Sequence, residues 1–306
     1  MKLTRKQHEQ ARAYIYAHAR PLEQALYAYH FEGGTTEAVF DQLASYQNAD
    51  GGFGHALEPD LRTAASSTIA TTVGLQILRE LRAPSDHALV QDAMQYLVTT
   101  YDQEHQRWPI IPPAAGAAPH APWWEYDAGL PQRFGEFLAN PRAEIVGYLY
   151  EYAELVPPEL LGSLSEAAIA RLEQLPNTME MHDLLCYVRL AETKSLPEAL
   201  QTQIMDKLHK VVAATVARER DTWDDYGLPP LAIVSTPASP FAPMFAEELE
   251  ANLDYVIEQQ RDNGAWGPNW SWGDAFPEAW RSAERDWTGI LTLGNLSKLR
   301  AWGRLE

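Results

Sequence analysis

The stretches Gln47-Asn-Ala-Asp-Gly-Gly-Phe53 and Gln260-Arg-Asp-Asn-Gly-Ala-Trp266 decide the fold of this chain, because both follow the pattern Q-x-x-[DN]-G-x-aromatic. In each stretch an Asp-Gly or Asn-Gly pair supplies the positive-φ turn that ends the preceding helix. The aromatic residue then folds back onto the repeat, and the glutamine is placed to bond the freed backbone. Two such copies predict an internally repeated helical protein.

Hydrophobic periodicity predicts helices along most of the chain and very few strands. One example is the i, i+4 stripe formed by Ile69, Val73, Ile77 and Leu81. The run 66–77 around it carries no charged residue, which suits an inner helix surrounded by other helices. The segments with helical patterning are 4–30, 35–47, 66–82, 86–101, 141–156, 163–174, 179–192, 197–218, 247–260 and 277–301.

Composition limits the function classes that the chain can serve. Its 306 residues are 46% hydrophobic, which is enough to bury a large core. A net charge of −18 repels phosphate backbones and anionic membrane surfaces, so nucleic acid is not expected as a partner. Membrane insertion is not expected either, because no segment approaches the roughly 20 apolar residues that a spanning helix needs. A single cysteine and the lack of a signal-like apolar segment at the start favour a cytoplasmic protein.

The aromatic residues of the two signatures suggest a longer period. Weaker markers lie between Phe53 and Trp266, at Trp108 and Trp223. Their spacing fits a unit of roughly 50 residues repeated about six times, which gives about a dozen helices. We therefore expect one domain over residues 1–306, in which helical hairpins close into a ring with one helix layer inside another.

The motifs Leu43-x-x-x-Gln47-x-x-x-Gly51-x-Phe53 and Gln260-x-x-x-Gly264-x-Trp266 resemble the Gln-Trp repeat of the terpenoid cyclases and protein prenyltransferases. This resemblance implies an α/α toroid, a double ring of about twelve helices with a central cavity, over essentially the whole chain. It does not by itself imply the chemistry, because function depends on sites that differ among proteins of one fold.

The catalytic signatures of that superfamily are missing from this sequence. The cyclase motif Asp-x-Asp-Asp is not matched by the nearest strings, Glu58-Pro-Asp60 and Trp223-Asp-Asp-Tyr226. The zinc site of the prenyltransferases needs a cysteine, and the one cysteine, Cys186, lies in an apolar run typical of a packed core. No histidine has tight ligand spacing with other ligands, so we expect neither a metal nor another cofactor.

The first candidate site follows the first signature directly. His55, Glu58, Asp60 and Arg62 lie in the connection that leads into the charge-free helix. Glu58 or Asp60 could act as a general acid or base with help from His55, and Arg62 could bind substrate. The structural alternative is that Asp60 and Arg62 pair with each other or cap the next helix.

The second candidate site lies in the long connection between about residues 105 and 140. The string 119–127 places Trp123 and Trp124 beside the carboxylate of Glu125, and a loop of this length is typical of a functional lid. Glu125 is therefore a candidate catalytic residue, and both tryptophans are candidates for substrate binding. Alternatively, the two rings only fasten the loop to the core.

The third candidate site follows the second signature, where tryptophan is dense. Trp270, Trp272 and Asp274 are the candidate binding residues. Flat aromatic faces suit both isoprenoid chains and the apolar faces of sugar rings. Three functions remain open: a toroid enzyme that acts on an isoprenoid or similar apolar substrate by carboxylate acid/base catalysis, a glycosidase or polysaccharide lyase on an α/α barrel, and a non-catalytic binding protein. The expected ligand is a small molecule or an oligosaccharide, and the sequence leaves the oligomeric state open.

Overall fold

The computed structural model describes residues 1–306 and confirms the all-α class. Two of its thirteen α-helices, α6 and α11, are only four residues long. No strand is formed, and the only β-type pairings are four isolated bridges. The helices are α1 Arg5–His18, α2 Pro21–Phe31, α3 Thr36–Ala44, α4 Thr68–Glu80, α5 Ala88–Thr100, α6 Leu130–Arg133, α7 Arg142–Glu151, α8 Pro158–Gln174, α9 Met181–Ala191, α10 Glu198–Thr215, α11 Pro230–Ile233, α12 Ala246–Glu258 and α13 Pro277–Ala301.

Two of the predicted helix boundaries are wrong. The segment 4–30 forms two helices, because Pro21 begins α2 and the preceding Ala19 and Arg20 take extended backbone angles. The helix predicted from residue 163 begins instead at Pro158, whose ring suits the first helical position. Elsewhere the periodic segments and the helices agree within a few residues.

The chain divides into two compact units. Unit 1 combines residues 1–42 with residues 216–306, and unit 2 is the continuous stretch 43–215. None of the helices in either unit has the length and apolar character needed to cross a lipid bilayer.

In unit 2 the core forms around α7. This helix packs against α8 and α9, and α9 in turn packs against α10. Every residue from Arg142 to Leu149 is buried, so α7 is covered on all sides. The charge-free helix α4 packs against both α5 and α7, and Ser67 caps its first turn by accepting a hydrogen bond from the Ala70 amide.

In unit 1 the two ends of the chain meet. The long helix α13 packs against α1 and α2, and α11 packs against α12. Leu3 and Leu305 form a parallel bridge, with the Leu3 amide donating to the Arg304 carbonyl at 2.8 Å and the Glu306 amide donating to the Leu3 carbonyl at 3.1 Å. The α-amino group of Met1 adds an ion pair with Asp254.

All of the candidate site residues lie on connections that lead into helices. Two of these connections belong to unit 2: residues 45–67 precede α4, and residues 101–141 precede α7 with little regular structure of their own. The third, 259–276, belongs to unit 1 and precedes α13, and it contacts the connection 216–229 that precedes α11. The long connection predicted near 105–140 is therefore present, although several short helical turns break it up.

Candidate functional site

The first signature closes a turn that we call the first clasp, residues 47–53. The Gln47 side-chain amide donates to the Gly51 carbonyl at 2.9 Å and to the Leu89 carbonyl of α5 at 3.0 Å. Gly51 has a φ of 86°, the left-handed turn that the sequence predicts. The Phe53 amide donates to the Thr71 hydroxyl of α4 at 3.0 Å, which ties the clasp to the helix that follows it.

The second signature forms the second clasp, residues 260–266, with the same bonds. Gln260 donates to the Gly264 carbonyl at 2.8 Å and to the Gln7 carbonyl of α1 at 3.0 Å. Gly264 also has a φ of 86°, and the Trp266 amide donates to the Thr292 hydroxyl of α13 at 3.0 Å. The helix bound by the second glutamine is α1, which occupies the place that α5 occupies at the first clasp.

Trp108 marks a weaker version of the same turn. Its indole nitrogen donates to the Leu97 carbonyl of α5 at 2.7 Å, as the Trp266 indole donates to the Val256 carbonyl of α12 at 2.6 Å. In each case the aromatic ring ties the connection back to the helix that precedes it. The glutamine and the glycine of the clasp are missing at Trp108, which explains why the sequence signal there is weak.

The structure brings the first and second candidate sites together in unit 2. Leu61 and His120 form an antiparallel bridge. On one side of it the Ala121 amide donates to the Asp60 carbonyl at 2.8 Å, and on the other the Arg62 amide donates to the Pro119 carbonyl at 3.0 Å. Side chains of directly paired residues in such a bridge lie close together. Segments almost sixty positions apart in sequence therefore form one structure, which we call the acidic junction, residues 58–62 and 118–125.

Both ring nitrogens of His120 have a hydrogen-bond partner in the acidic junction. Its Nδ1 lies 2.7 Å from the Ala118 carbonyl, and because a carbonyl oxygen only accepts, Nδ1 carries a proton. Its Nε2 lies 3.3 Å from a carboxylate oxygen of Glu125. The His120 ring is buried, whereas Glu125 is 62% exposed. The pair can therefore pass a proton between solvent and a buried imidazole.

The candidate residues of the first site differ in their environment. Glu58 and Asp60 are buried, which places two carboxylates inside the junction. Arg62 is half-buried at its edge. His55 is exposed, with its Nε2 lying 2.8 Å from the Asn48 side-chain oxygen, so it is held by the first clasp. The hypothesis that His55 assists Glu58 or Asp60 has no contact to support it.

The two adjacent tryptophans have different surroundings. Trp124 is buried and stacks on Phe134, with ring centroids 5.1 Å apart and an interplanar angle of 13°. This stacking matches the structural alternative, in which the ring fastens the loop to the core. Trp123 is half-buried and is the better placed of the two to contact a ligand.

The third candidate site lies in unit 1, where two connections join. The Asn269 side chain donates to the backbone carbonyls of Asp224 and Asp225 at 3.3 and 3.1 Å. Beside it the half-buried Trp270 meets Trp287 of α13 edge to face, with centroids 5.2 Å apart. Neither indole nitrogen has a hydrogen-bond acceptor, although both atoms are buried.

The other predicted residues of this third site lie at opposite extremes of exposure. Trp272 is 1% exposed and packs against Trp280, with centroids 5.6 Å apart, so its ring belongs to the core. Asp274 is exposed. Trp270 is therefore the member of this cluster best suited to stack on a ligand.

A buried charged network lies on the helices of unit 2, and sequence reasoning missed it. The Glu144 carboxylate of α7 accepts hydrogen bonds from Gln76 of α4 at 2.8 Å, from Arg189 of α9 at 2.9 Å and from the Tyr148 hydroxyl. Burial raises the pKa of the neighbouring Cys186 thiol well above its usual range, so this cysteine is not a nucleophile at neutral pH. Each residue sits in an apolar-looking helix, and only their spatial convergence identifies the network.

No group of three or more histidine, cysteine, aspartate or glutamate side chains has an arrangement that could hold a metal ion. The acidic junction has the residues for proton transfer but does not form a ligand set.

Searches of protein-family models, curated proteins and solved structures find no match to this chain.

Proposed function

We propose that this chain is an α/α-toroid enzyme of the Gln-Trp repeat type that performs carboxylate acid/base chemistry at the acidic junction. The observation that carries the proposal is the pairing of Leu61 with His120, which brings the segment of Glu58 and Asp60 next to the segment of the His120–Glu125 pair. A junction with buried carboxylates and a proton route to solvent has the parts of a general acid/base site.

The two clasps support the toroid. In a closed double ring each hairpin packs against the next, and the last hairpin packs against the first. The second clasp meets this requirement, because Gln260 binds α1 as Gln47 binds α5. The bridge between Leu3 and Leu305 adds a second closing contact between the ends of the chain.

The order of the helices also supports two layers. Without the four-residue α6, twelve helices remain, and they form six successive pairs from α1–α2 to α12–α13. Helices α4, α7 and α13 are each the second helix of a pair. These helices are also richly buried, as an inner layer requires. The candidate acids and tryptophans lie on connections that lead into the second helix of a pair. In a double ring of helix pairs, such connections are expected together at one end of the ring.

In the proposed mechanism Glu58 or Asp60 donates a proton to the substrate as general acid. His120 then passes a proton from Glu125 back to the carboxylate that donated one, and Glu125 takes up a proton from solvent in its place. Trp123 contacts the substrate, and Trp124 keeps the loop in place through its stacking on Phe134.

For the substrate we propose an isoprenoid or similar apolar molecule, in line with the resemblance. A carbohydrate is the second candidate, and one observation favours it. The junction holds three carboxylates, Glu58 and Asp60 buried and Glu125 exposed, and paired carboxylates perform glycoside hydrolysis.

A thermal-shift screen followed by product analysis tests the proposal. The panel contains prenyl diphosphates, polyprenols and oligosaccharides, and the variants are Glu58→Gln, Asp60→Asn and Trp123→Ala. We expect one ligand class to raise the melting temperature and Trp123→Ala to reduce that shift. One of the two acid variants should bind the same ligand and lose about 100-fold or more in turnover, which is the contribution of a general acid.

The matched control is Glu166→Gln, which removes an exposed carboxylate from α8 away from the junction. It should leave both the shift and the turnover unchanged. The proposal fails if no ligand class stabilises the protein, or if both acid variants turn over substrate as fast as this control does. Stabilisation by a prenyl diphosphate or polyprenol supports the apolar substrate, and stabilisation by an oligosaccharide supports the carbohydrate.

A further inference from the structure

Unit 1 contains a pocket that lies apart from the acidic junction. Its volume is about 370 Å³, in the range of small-molecule sites. The walls come from α1, the second clasp and α13. The lining residues are Tyr14, His18, Arg261, Asn263, Arg281, Glu284, Arg285 and Thr288.

The charge of this pocket is opposite to that of the chain. Three of the 24 basic residues of a protein with a net charge of −18 line it, together with a single carboxylate, Glu284. Arg281 is paired with Glu278 at 2.7 Å, but no ion pair is formed by Arg261 or Arg285. These two guanidinium groups therefore line the pocket without an acidic partner and can donate charge-assisted hydrogen bonds to a ligand.

Arg261 is held in place by the backbone of the second clasp. Its amide donates to the Ala265 carbonyl at 2.9 Å, and its carbonyl accepts from the Gly264 amide at 2.8 Å. Its guanidinium lies against Gly267, where a Cβ atom would approach it to 2.2 Å. The glycine therefore leaves the space that the guanidinium occupies.

Arg285 lies on the wall that α13 contributes to the pocket. It occupies one face of α13 together with Arg281, four residues before it, and Thr288, three residues after it. Both arginines line the same pocket, and the charges of both act on the Tyr14 hydroxyl, so the two guanidinium groups lie near this side chain. They are thus positioned to approach one bound group together.

The floor of the pocket is aromatic. The rings of Tyr14 and His18 lie one turn apart on α1, with centroids 4.9 Å apart. Burial raises the pKa of Tyr14 and outweighs the opposing hydrogen bond with Thr288 and the charges of the two arginines, so the hydroxyl stays protonated. The volume and the aromatic floor leave room for an organic portion beside an anionic group.

We propose that this pocket binds a small molecule carrying a phosphate or carboxylate group, with Arg261 and Arg285 on the oxyanion and Tyr14 and His18 against the rest of the molecule. Planar guanidinium groups bind both kinds of oxyanion through two parallel hydrogen bonds. This site is independent of the proposed function, because it shares no residue with the acidic junction.

Isothermal titration calorimetry tests the site. The probes are sodium phosphate, sodium pyrophosphate and trisodium citrate, each titrated into the full chain at a low, matched ionic strength so that screening stays constant. We expect saturable binding of at least one probe. Tighter binding of pyrophosphate identifies a phosphate ligand, and tighter binding of citrate identifies a carboxylate ligand.

Two variants locate the binding. Replacing both arginines, Arg261→Gln with Arg285→Gln, should weaken it about tenfold or more, because charge-assisted hydrogen bonds are lost. Gly267→Ala should also weaken binding, although it leaves every charge in place, because the new methyl group displaces the Arg261 guanidinium. The charge-matched control is Arg5→Gln with Lys6→Gln, which removes two exposed cations from the start of α1.

The proposal is overturned if no probe binds saturably. It is also overturned if the double arginine variant binds as tightly as the unmodified chain, or if the control weakens binding by the same factor. Thermal unfolding without ligand shows whether each variant is folded. If the double arginine variant is unfolded, the binding measured with Gly267→Ala tests the proposal instead.

Discussion

The replacement of Gly51 by alanine tests the first clasp. Gly51 has a φ of 86°, and a Cβ atom there would lie 2.1 Å from the carbonyl oxygen of Asp92 in α5. Gly264 in the second clasp has the same φ, and its Cβ would lie 2.4 Å from the carbonyl carbon of Gln10 in α1. The clash in each case is with helix backbone, which cannot rotate away as a side chain can. Relief therefore requires the clasp to move off its neighbouring helix.

The size of the effect follows from two contributions. An L-residue in the left-handed region costs about 1–2 kcal/mol, and forcing an extra carbon into a packed contact costs about 1–3 kcal/mol more. Gly51→Ala and Gly264→Ala should each lower the free energy of unfolding by about 2–5 kcal/mol. Gly33 provides the matched control, because its φ is 74° but no heavy atom lies within 4 Å of its Cβ position. Gly33→Ala should cost only about 1–2 kcal/mol.

The assay is thermal unfolding of the three single variants beside the unmodified chain. At roughly 2 °C per kcal/mol for a chain of this size, the clasp variants should lose about 4–10 °C and Gly33→Ala about 2–4 °C. The difference in melting temperature between a clasp variant and Gly33→Ala measures the clash with α5 or α1, because all three variants share the backbone strain. Equal losses in the three variants would refute the inference that the clasps are packed tightly against those helices.

Three further predictions concern unit 2. Arg189→Met should lower the free energy of unfolding by about 3 kcal/mol, because it leaves the Glu144 carboxylate buried without its cation. The double variant Arg189→Met with Glu144→Leu should cost less than the single change, and a double-mutant cycle measured by thermal unfolding tests this. Burial, with the nearby Glu180 charge second, raises the pKa of Asp183 from 3.8 to about 6, so the folded state keeps a proton that the unfolded state releases. Stability should therefore fall by up to about 3 kcal/mol as the pH rises from 4 to 6, and Asp183→Asn should remove this part of the pH dependence of the melting temperature; an unchanged profile would contradict the burial of Asp183. Trp124→Ala should cost about 3–5 kcal/mol through loss of its stacking on the loop, and a urea midpoint equal to that of the unmodified chain would argue against that structural role.

The sequence predicts the all-α class and both clasps for a physical reason. Helical periodicity and turn chemistry are local, so they can be read within a dozen residues. Gln47 and Gly51 are four positions apart, and the bond between them depends on nothing distant. The break between α1 and α2 is also predictable from local sequence, because Pro21 restricts the backbone of the residue before it and interrupts an otherwise continuous periodic pattern.

The acidic junction could not be predicted in the same way. The sequence identifies Glu58, Asp60 and Glu125 as separate candidates, but the bridge that joins them depends on backbone groups almost sixty positions apart. His120 gained its importance only from its contacts with Ala118 and Glu125. The Glu144 network was missed for the same reason, since its members come from three helices that look like ordinary packed elements.

The discontinuity of unit 1 has a consequence for synthesis on the ribosome. Residues 1–42 are synthesised before unit 2, but the helix against which α1 and α2 pack is α13, which is synthesised after unit 2. Unit 2 is continuous and can fold while translation is still in progress. The apolar faces of α1 and α2 therefore stay uncovered by α13 for the whole time that unit 2 is being synthesised.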